Sequence, residues 1–208
     1  MPTENNSTAE TKRLEHLWSG GFGDAYVDRN RAAGVRREPF WQAILAEFPA
    51  QNVLEVGCNI GANLRWIATY RPPHHVYGVD INLRALAELR QALPNVNTLW
   101  GLARELPFRD RWFDLVFTMG VLIHQPESTL LLVMEEIVRC SRRYILCGEY
   151  YAEHTTEVLY RGQTGALFKR DYGRIYQELF PGLQLRKQAF LGRDEGWDDV
   201  TYWMFEKM

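Results

Sequence analysis

N-V-L-E-V-G-C-N-I-G-A-N-L-R-W-I-A, residues 52–68, decides the fold. An apolar run stops at a glycine, a short turn leads to a second glycine, and apolar residues then recur at helical spacing. The pattern predicts a strand over 53–56 and a helix over 62–70. Gly57 and Gly61, lacking Cβ, permit a tight turn and let a ligand approach the backbone. The helix amino terminus adds free N–H groups at the same place.

Working outward, the same alternation repeats. Strands are predicted over 75–80, 96–101, 113–119 and 143–150, with helices over 83–93 and 128–139. Strand and helix alternating this regularly indicate a parallel sheet with helices on both faces. Residues 156–172 read as irregular, followed by a helix through Tyr176 and Leu179. Strands over 183–190 and 199–206, joined by G-R-D-E-G-W-D, form a carboxyl-terminal hairpin that brings an antiparallel strand into the sheet. Toward the amino terminus, residues 38–48 carry a helical pattern with Pro39 in the first turn. Residues 14–31 mix aromatics, glycines and charges, and residues 1–12 read as a polar, disordered tail.

The chain of 208 residues suits a single domain, residues 13–208 after the tail. A net charge of -2 supplies no field to recruit nucleic acid or an anionic membrane. Three cysteines without metal-like spacing, and no H-E-x-x-H, argue against a metal site. The start lacks a secretion-signal core and no run is long enough to span a membrane, so a reducing cytoplasm is expected. Cys58 is expected to be a small buried residue.

In an open parallel sheet, ligands sit beyond the carboxyl ends of the strands where the strand order reverses. Asp80 ends the second strand, where a carboxylate can accept both hydroxyls of a ribose. Singly, these residues also read as turn glycines and a helix-capping acid; together they point to a nucleoside-containing cofactor. A dinucleotide turn would carry a third small residue for the pyrophosphate. Here E-V-G-C-N-I-G has two glycines and a leading Glu55.

That turn resembles the first motif of the class I S-adenosylmethionine-dependent methyltransferases. V-Y-G-V-D-I-N (76–82), G-L-A-R-E-L-P-F-R-D-R-W-F-D-L-V-F (101–117) and V-L-I-H-Q-P-E (121–127) look like the family's following segments, in order. The resemblance implies a doubly wound, mostly parallel seven-stranded sheet, with S-adenosylmethionine as cofactor and S-adenosylhomocysteine as product. It assigns Glu55 to the methionine end, with Gly57 and Gly61 admitting it and Asn59 and Asn63 adding polar contacts. Asp80 inherits the ribose. Leu102 stands where the family carries an Asp that meets the adenine amino group, so adenine is expected against Ile81 and Leu102 and the backbone at Ala103. Met119, at the end of the fourth strand, is counted with the cofactor residues. Segments 18–30, 160–172 and 198–207 resemble the small methylases associated with pseudaminic acid biosynthesis, which admits a sugar-derived acceptor.

Three regions follow: a lid or cover at 13–37, a cofactor-binding core at 50–150, and a substrate-side segment with the hairpin at 151–208. Trp18, Phe22, Tyr26 and Arg29 stand where the family often carries a lid, and glycines 20, 21 and 23 fit a hinge. Tyr26 is counted with the cofactor residues, and Arg29 could reach the cofactor's carboxylate; an amino-terminal cover packed on the sheet is the other reading. His124, past the fourth strand, is the candidate catalytic residue, or else a turn histidine bonded to backbone. Tyr150 and Tyr151 could orient an acceptor or simply pack. Lys169 and Arg170 could clamp an anionic substrate or form a solvated helix start. The expected activity is methyl transfer to a small polar, anionic or sugar-derived acceptor, at oxygen more than nitrogen. A non-catalytic binding module, a nucleic-acid methyltransferase and a nicotinamide enzyme are the rivals, with near-neutral charge counting against the second. The oligomeric state is not legible.

Overall fold

The structure, a computed structural model, describes the backbone of residues 4–208 and side chains from residue 9 onward. Three helices come first: α1 (Glu4–Ser19), α2 (Gly21–Asn30) and α3 (Glu38–Glu47). Then follow β1 (Val53–Val56), α4 (Leu64–Tyr70), β2 (Val76–Asp80), α5 (Leu83–Ala92), β3 (Asn97–Trp100) and β4 (Phe113–Met119). The chain continues through α6 (Glu127–Cys140), β5 (Ser141–Glu149), β6 (Thr156–Glu157), β7 (Phe168–Lys169), α7 (Tyr172–Leu179), β8 (Leu183–Leu191) and β9 (Val200–Lys207).

Seven strands form one sheet in the order β3-β2-β1-β4-β5-β9-β8. The first five run parallel, β9 runs antiparallel to β5 and β8 antiparallel to β9, so the sheet is mostly parallel as expected. All four residues of β1 are buried, because helices cover both faces of the sheet. One core packs Trp41, Leu64, Leu86 and Phe117 beneath α3, α4 and α5. The other packs Met134, Ile137, Tyr172 and Tyr176 beneath α6 and α7. The chain leaves β1 for β2 on one side and β3 for β4 on the other, so a crevice opens above β1 and β4.

Local chemistry sets the element ends. The Asn82 side chain caps α5 by accepting from Ala85 N at 2.8 Å, and Asp171 caps α7 by accepting from Arg174 N at 2.9 Å. β8 is an edge strand, blunted by a register shift between Leu185 and Lys187 and by charged side chains.

Three expectations are corrected. Of the tail placed at residues 1–12, residues 1–3 lie outside the described residues and the rest belong to α1. The helix persists because it has something to pack on: Leu14 is buried, and Arg13 donates to Glu10 at 2.7 Å and to the carbonyl of Thr164 at 3.0 Å. The stretch 156–172, read as irregular, contains the β6–β7 pair, too short to give a periodic signal. The terminal hairpin turns at Asp199, whose φ of 58° is left-handed, so β9 begins one residue later than predicted.

Candidate functional site

A cavity of about 480 Å³ opens at the carboxyl ends of β1, β2 and β4, within the size range of small-molecule sites, ~300–1,000 Å³. Its floor is the quoted turn. Gly57 has φ of 74°, and a Cβ there would lie 2.4 Å from Val121, so the turn both needs left-handed backbone and leaves no side-chain space. Asn59, also left-handed at 46°, donates its backbone N–H to Asp80 at 2.8 Å, and Asn82 N donates to the other oxygen at 2.8 Å. Asp80 is thus fixed by two donors, with lone pairs left for a ligand. Burial raises its pKa, and these backbone bonds offset part of the rise.

Glu55 lies on the floor, almost fully buried. One carboxylate oxygen accepts from the Asn63 amide at 2.6 Å; the other is buried without a partner. Burial raises the Glu55 pKa to about 8, against the lowering effects of Asn63 and the nearby Arg37. Arg37 donates to Asn63 Oδ1 and to the Gly196 carbonyl, both at 3.0 Å, and stacks on Trp197 at 4.1 Å. Arg37 and Trp197 both line the cavity.

Ile81, Leu102, Ala103 and Met119 line the cavity as expected residues of its wall. Tyr26 and Arg29 line it from α2, with the Arg29 guanidinium over the Phe22 and Tyr26 rings at 5.7 and 5.5 Å. Tyr150 lines it too, its hydroxyl pKa raised by burial to about 12.

His124 is buried at the rim, on a short 3-10 turn. Its Nδ1 lies 2.6 Å from the Ala166 carbonyl, so Nδ1 carries the proton and Nε2 the lone pair. Desolvation lowers its pKa to about 4, and the bond to Ala166 opposes that shift. The turn is held from below by Glu149, whose carboxylate oxygens accept from Val121 N and Ile123 N, each at 3.2 Å. Burial raises the Glu149 pKa to about 7, less than it would without those donors.

Four of the candidate residues do not line the cavity. A Cβ on Gly61 would meet Leu89 at 2.4 Å, so this glycine lets α5 approach the turn. Tyr151 is exposed, its ring 6.2 Å from Trp203. Lys169 lies over the Tyr150 ring at 5.9 Å. Arg170, expected as an anion clamp, is buried and donates to the Gln125 carbonyl at 3.1 Å and the Tyr172 hydroxyl at 3.3 Å. Charge next to Asp171 in sequence does not show which side chain turns inward.

The roof combines both ends of the chain. Trp18 of α1 packs on Phe22, Tyr26, His124 and Tyr160, with centroids 4.3–6.5 Å apart. Arg104 beside β3 pairs with Glu15 of α1 at 2.6 Å, and Arg84 of α5 pairs with Asp28 of α2. Of the hinge glycines, Gly23 has a packing reason: a Cβ would meet the Trp18 carbonyl oxygen at 1.8 Å. Trp18 was legible only as part of a lid, and Arg37, Tyr160, Arg161, Trp197 and Asp198 were not singled out, because each joins the cavity only through the roof.

Residues 53–143 match the family model described as a methyltransferase domain. An uncharacterized methyltransferase of Schizosaccharomyces pombe is 31% identical over 150 residues, 67% of this chain and 54% of the relative. Another from Synechocystis is 35% identical over 81 residues, 39% of this chain and 37% of the relative. The chain therefore spans about half or less of these relatives' length. Among solved structures, magnesium protoporphyrin IX methyltransferase from Synechocystis with bound S-adenosylhomocysteine superposes with a TM-score of 0.71 at 14% identity, covering 96% of this chain and 100% of that one. The Burkholderia thailandensis 1,6-didemethyltoxoflavin-N1-methyltransferase gives a TM-score of 0.68 at 16% identity, covering 100% and 91%. With its strand order and its glycine turn, the chain has a Rossmann-like methyltransferase fold, and its residues 53–143 match a methyltransferase domain.

Proposed function

We propose that the protein transfers the methyl group of S-adenosylmethionine to a small polar acceptor, at oxygen more than nitrogen. The observation that carries this is the pair of orphaned buried acceptors on the cavity floor, Glu55 Oε2 and Asn59 Oδ1, set on either side of a glycine turn that admits no side chain. Buried polar atoms without partners are costly unless a ligand supplies donors. An ammonium and a hydroxyl or amino group suit them, and the cofactor carries all three.

In this reading Asp80 takes the ribose hydroxyls, and Ile81, Leu102 and Ala103 take the adenine. Glu55 and Arg37, of opposite charge, take the ammonium and carboxylate of the methionine end. Gly57 leaves room beside them, and Tyr26, Arg29 and Met119 border the space where acceptor and methyl meet. When bound, the cofactor supplies a methyl group on a sulfonium leaving group, open to in-line attack. The protein holds the acceptor in line and keeps water out with the roof. His124, neutral at working pH, presents the Nε2 lone pair to the acceptor hydroxyl. A conjugate acid with a pKa of about 4 is too strong for His124 to remove that proton in advance. It therefore orients the hydroxyl and takes up positive charge only as transfer proceeds. The terminal segments' resemblance to the pseudaminic acid methylases supports including sugar-derived acceptors.

Calorimetric titration with S-adenosylmethionine and S-adenosylhomocysteine, with NAD as control, tests the reading. Tight binding of the first two, lost in Asp80→Ala, is expected. Preference for NAD, or no binding by folded protein, would overturn it; binding without turnover on any acceptor would leave a non-catalytic module.

A further inference from the structure

The charged residues lining the cavity separate into those with partners and those without. Arg104 is paired with Glu15, and Arg37 lies beside Glu55 and is further favoured by Asp198. Asp80 is held by two backbone donors. Of the cations, Arg29 and Arg161 remain. Neither makes an ion pair or a hydrogen bond among the described residues; each guanidinium rests over aromatic rings, Arg29 over Phe22 and Tyr26, Arg161 over Tyr160 at 6.0 Å. Phe22 and Tyr160 touch edge to face, 5.9 Å apart. The two unpaired cations thus stand on adjoining rings at the roofed end of the cavity, one from α2 and one from the segment between β6 and β7.

The backbone under Arg161 is built to put it there. Tyr160 N donates to Gln163 O at 3.0 Å and Gln163 N to Tyr160 O at 2.9 Å, closing a tight hairpin turn. Its central residues, Arg161 and Gly162, have φ of 51° and 80°. Such a turn favours Asn-Gly or Gly-Gly, and a long side chain at the first position bears left-handed strain. The turn is anchored on both sides: Gly165 N donates to Glu157 at 2.6 Å, and Arg13 donates to the Thr164 carbonyl at 3.0 Å.

We propose that Arg29 and Arg161 form the acceptor's anion clamp, so that the methyl acceptor is a small molecule bearing an oxyanion, such as a carboxylate, sulfate or phosphate. This rests on the methyltransferase reading above and gives its acceptor a chemical class. Guanidinium groups match oxyanions bidentately, and rings beneath them hold the planes in place. An anion bridging α2 and the hairpin also ties the two halves of the roof together while substrate is present.

The test uses the S-adenosylhomocysteine-loaded protein, titrated calorimetrically with inorganic phosphate and with benzoate against benzamide, which share a shape and differ in charge. Phosphate and benzoate are expected to bind saturably and benzamide not. Arg161→Gly removes the guanidinium while suiting the left-handed backbone, so a loss in this variant is not a loss of fold. It and Arg29→Gln should each weaken benzoate about tenfold, and Arg161→Lys should restore only part, keeping charge without the fork. S-adenosylhomocysteine affinity should stay within about twofold of the parent in Arg161→Gly and Arg161→Lys. Equal affinity for benzoate and benzamide, or unchanged benzoate binding in Arg161→Gly, overturns the clamp and leaves the cofactor reading standing. Failure of S-adenosylhomocysteine to bind at all overturns both.

Discussion

His124 Nδ1 lies 2.6 Å from the carbonyl oxygen of Ala166, which joins the rim of the cofactor crevice to the chain that follows the roof hairpin. The ring is held from one side by this bond and from below, through its turn, by Glu149. The tautomer is therefore a consequence of tertiary packing, and so is the direction in which the free lone pair points.

The acid limb of the stability curve should carry this histidine. Its pKa is about 4 in the folded protein, against ~6.5 when unfolded. Between those values the unfolded chain binds the extra proton. The stabilisation is fully present above pH ~6.5 and is lost as pH falls through ~4, an effect of about 3 kcal/mol. Comparing the two proteins removes the opposing contributions of Glu55 and Glu149, whose raised pKa values favour the fold at low pH. Measured by urea unfolding, the stability of the parent relative to His124→Asn should fall on going from pH 7 to pH 5. An identical pH dependence would contradict the buried neutral ring.

Glu55 should make cofactor binding proton-linked. Its folded pKa of about 8 means that the free protein is largely protonated there at neutral pH. A cationic ammonium favours the ionised form, so binding at pH 7 should release about one proton, and affinity should rise with pH until about 8. Titration of S-adenosylhomocysteine in two buffers of different ionisation enthalpy measures the release. In Glu55→Gln the release should vanish and binding should weaken.

Gly57→Ala should cost the protein its turn. Left-handed backbone disfavours alanine by about 1–2 kcal/mol, and the added Cβ would press on Val121. The expected result is a lowered melting temperature together with loss of S-adenosylhomocysteine binding. Near-parental values of both would show that Val121 yields.

Arg170 and Lys169, neighbours in sequence, should behave oppositely. Arg170→Ala removes a buried guanidinium and leaves the Gln125 carbonyl without that donor, with an expected loss of about 2–4 kcal/mol in unfolding free energy. Lys169→Ala should stay within about 0.5 kcal/mol. A stable Arg170→Ala that fails only in turnover would return this residue to the substrate.

Much of this protein was legible along the chain. β1 and β4 occupy the predicted residues, because strands buried on both faces leave unbroken apolar runs. Gly57 and Asp80 stood out because a tight turn and a strand-end carboxylate are local requirements, satisfied by single residue types at fixed positions. The short β6–β7 pair and the helical character of residues 4–12 were not legible: neither carries a period, and each exists by packing on the other end of the chain.

The sequence by itself determined the order of strands and helices, the glycine turn and the carboxylates that face it, since these depend on backbone freedom and on the periodicity of apolar residues. Tertiary structure decided which guanidinium turns inward. Arg170 was placed under Gln125, and Arg37 and Arg161, far apart along the chain, were placed in the cavity wall. An arginine reads alike in sequence whether it meets water, a carbonyl or a ligand. Only the packing of α1, α2 and the hairpin over the sheet assigns its partner, because burial and Coulomb energy depend on distance in space rather than along the chain.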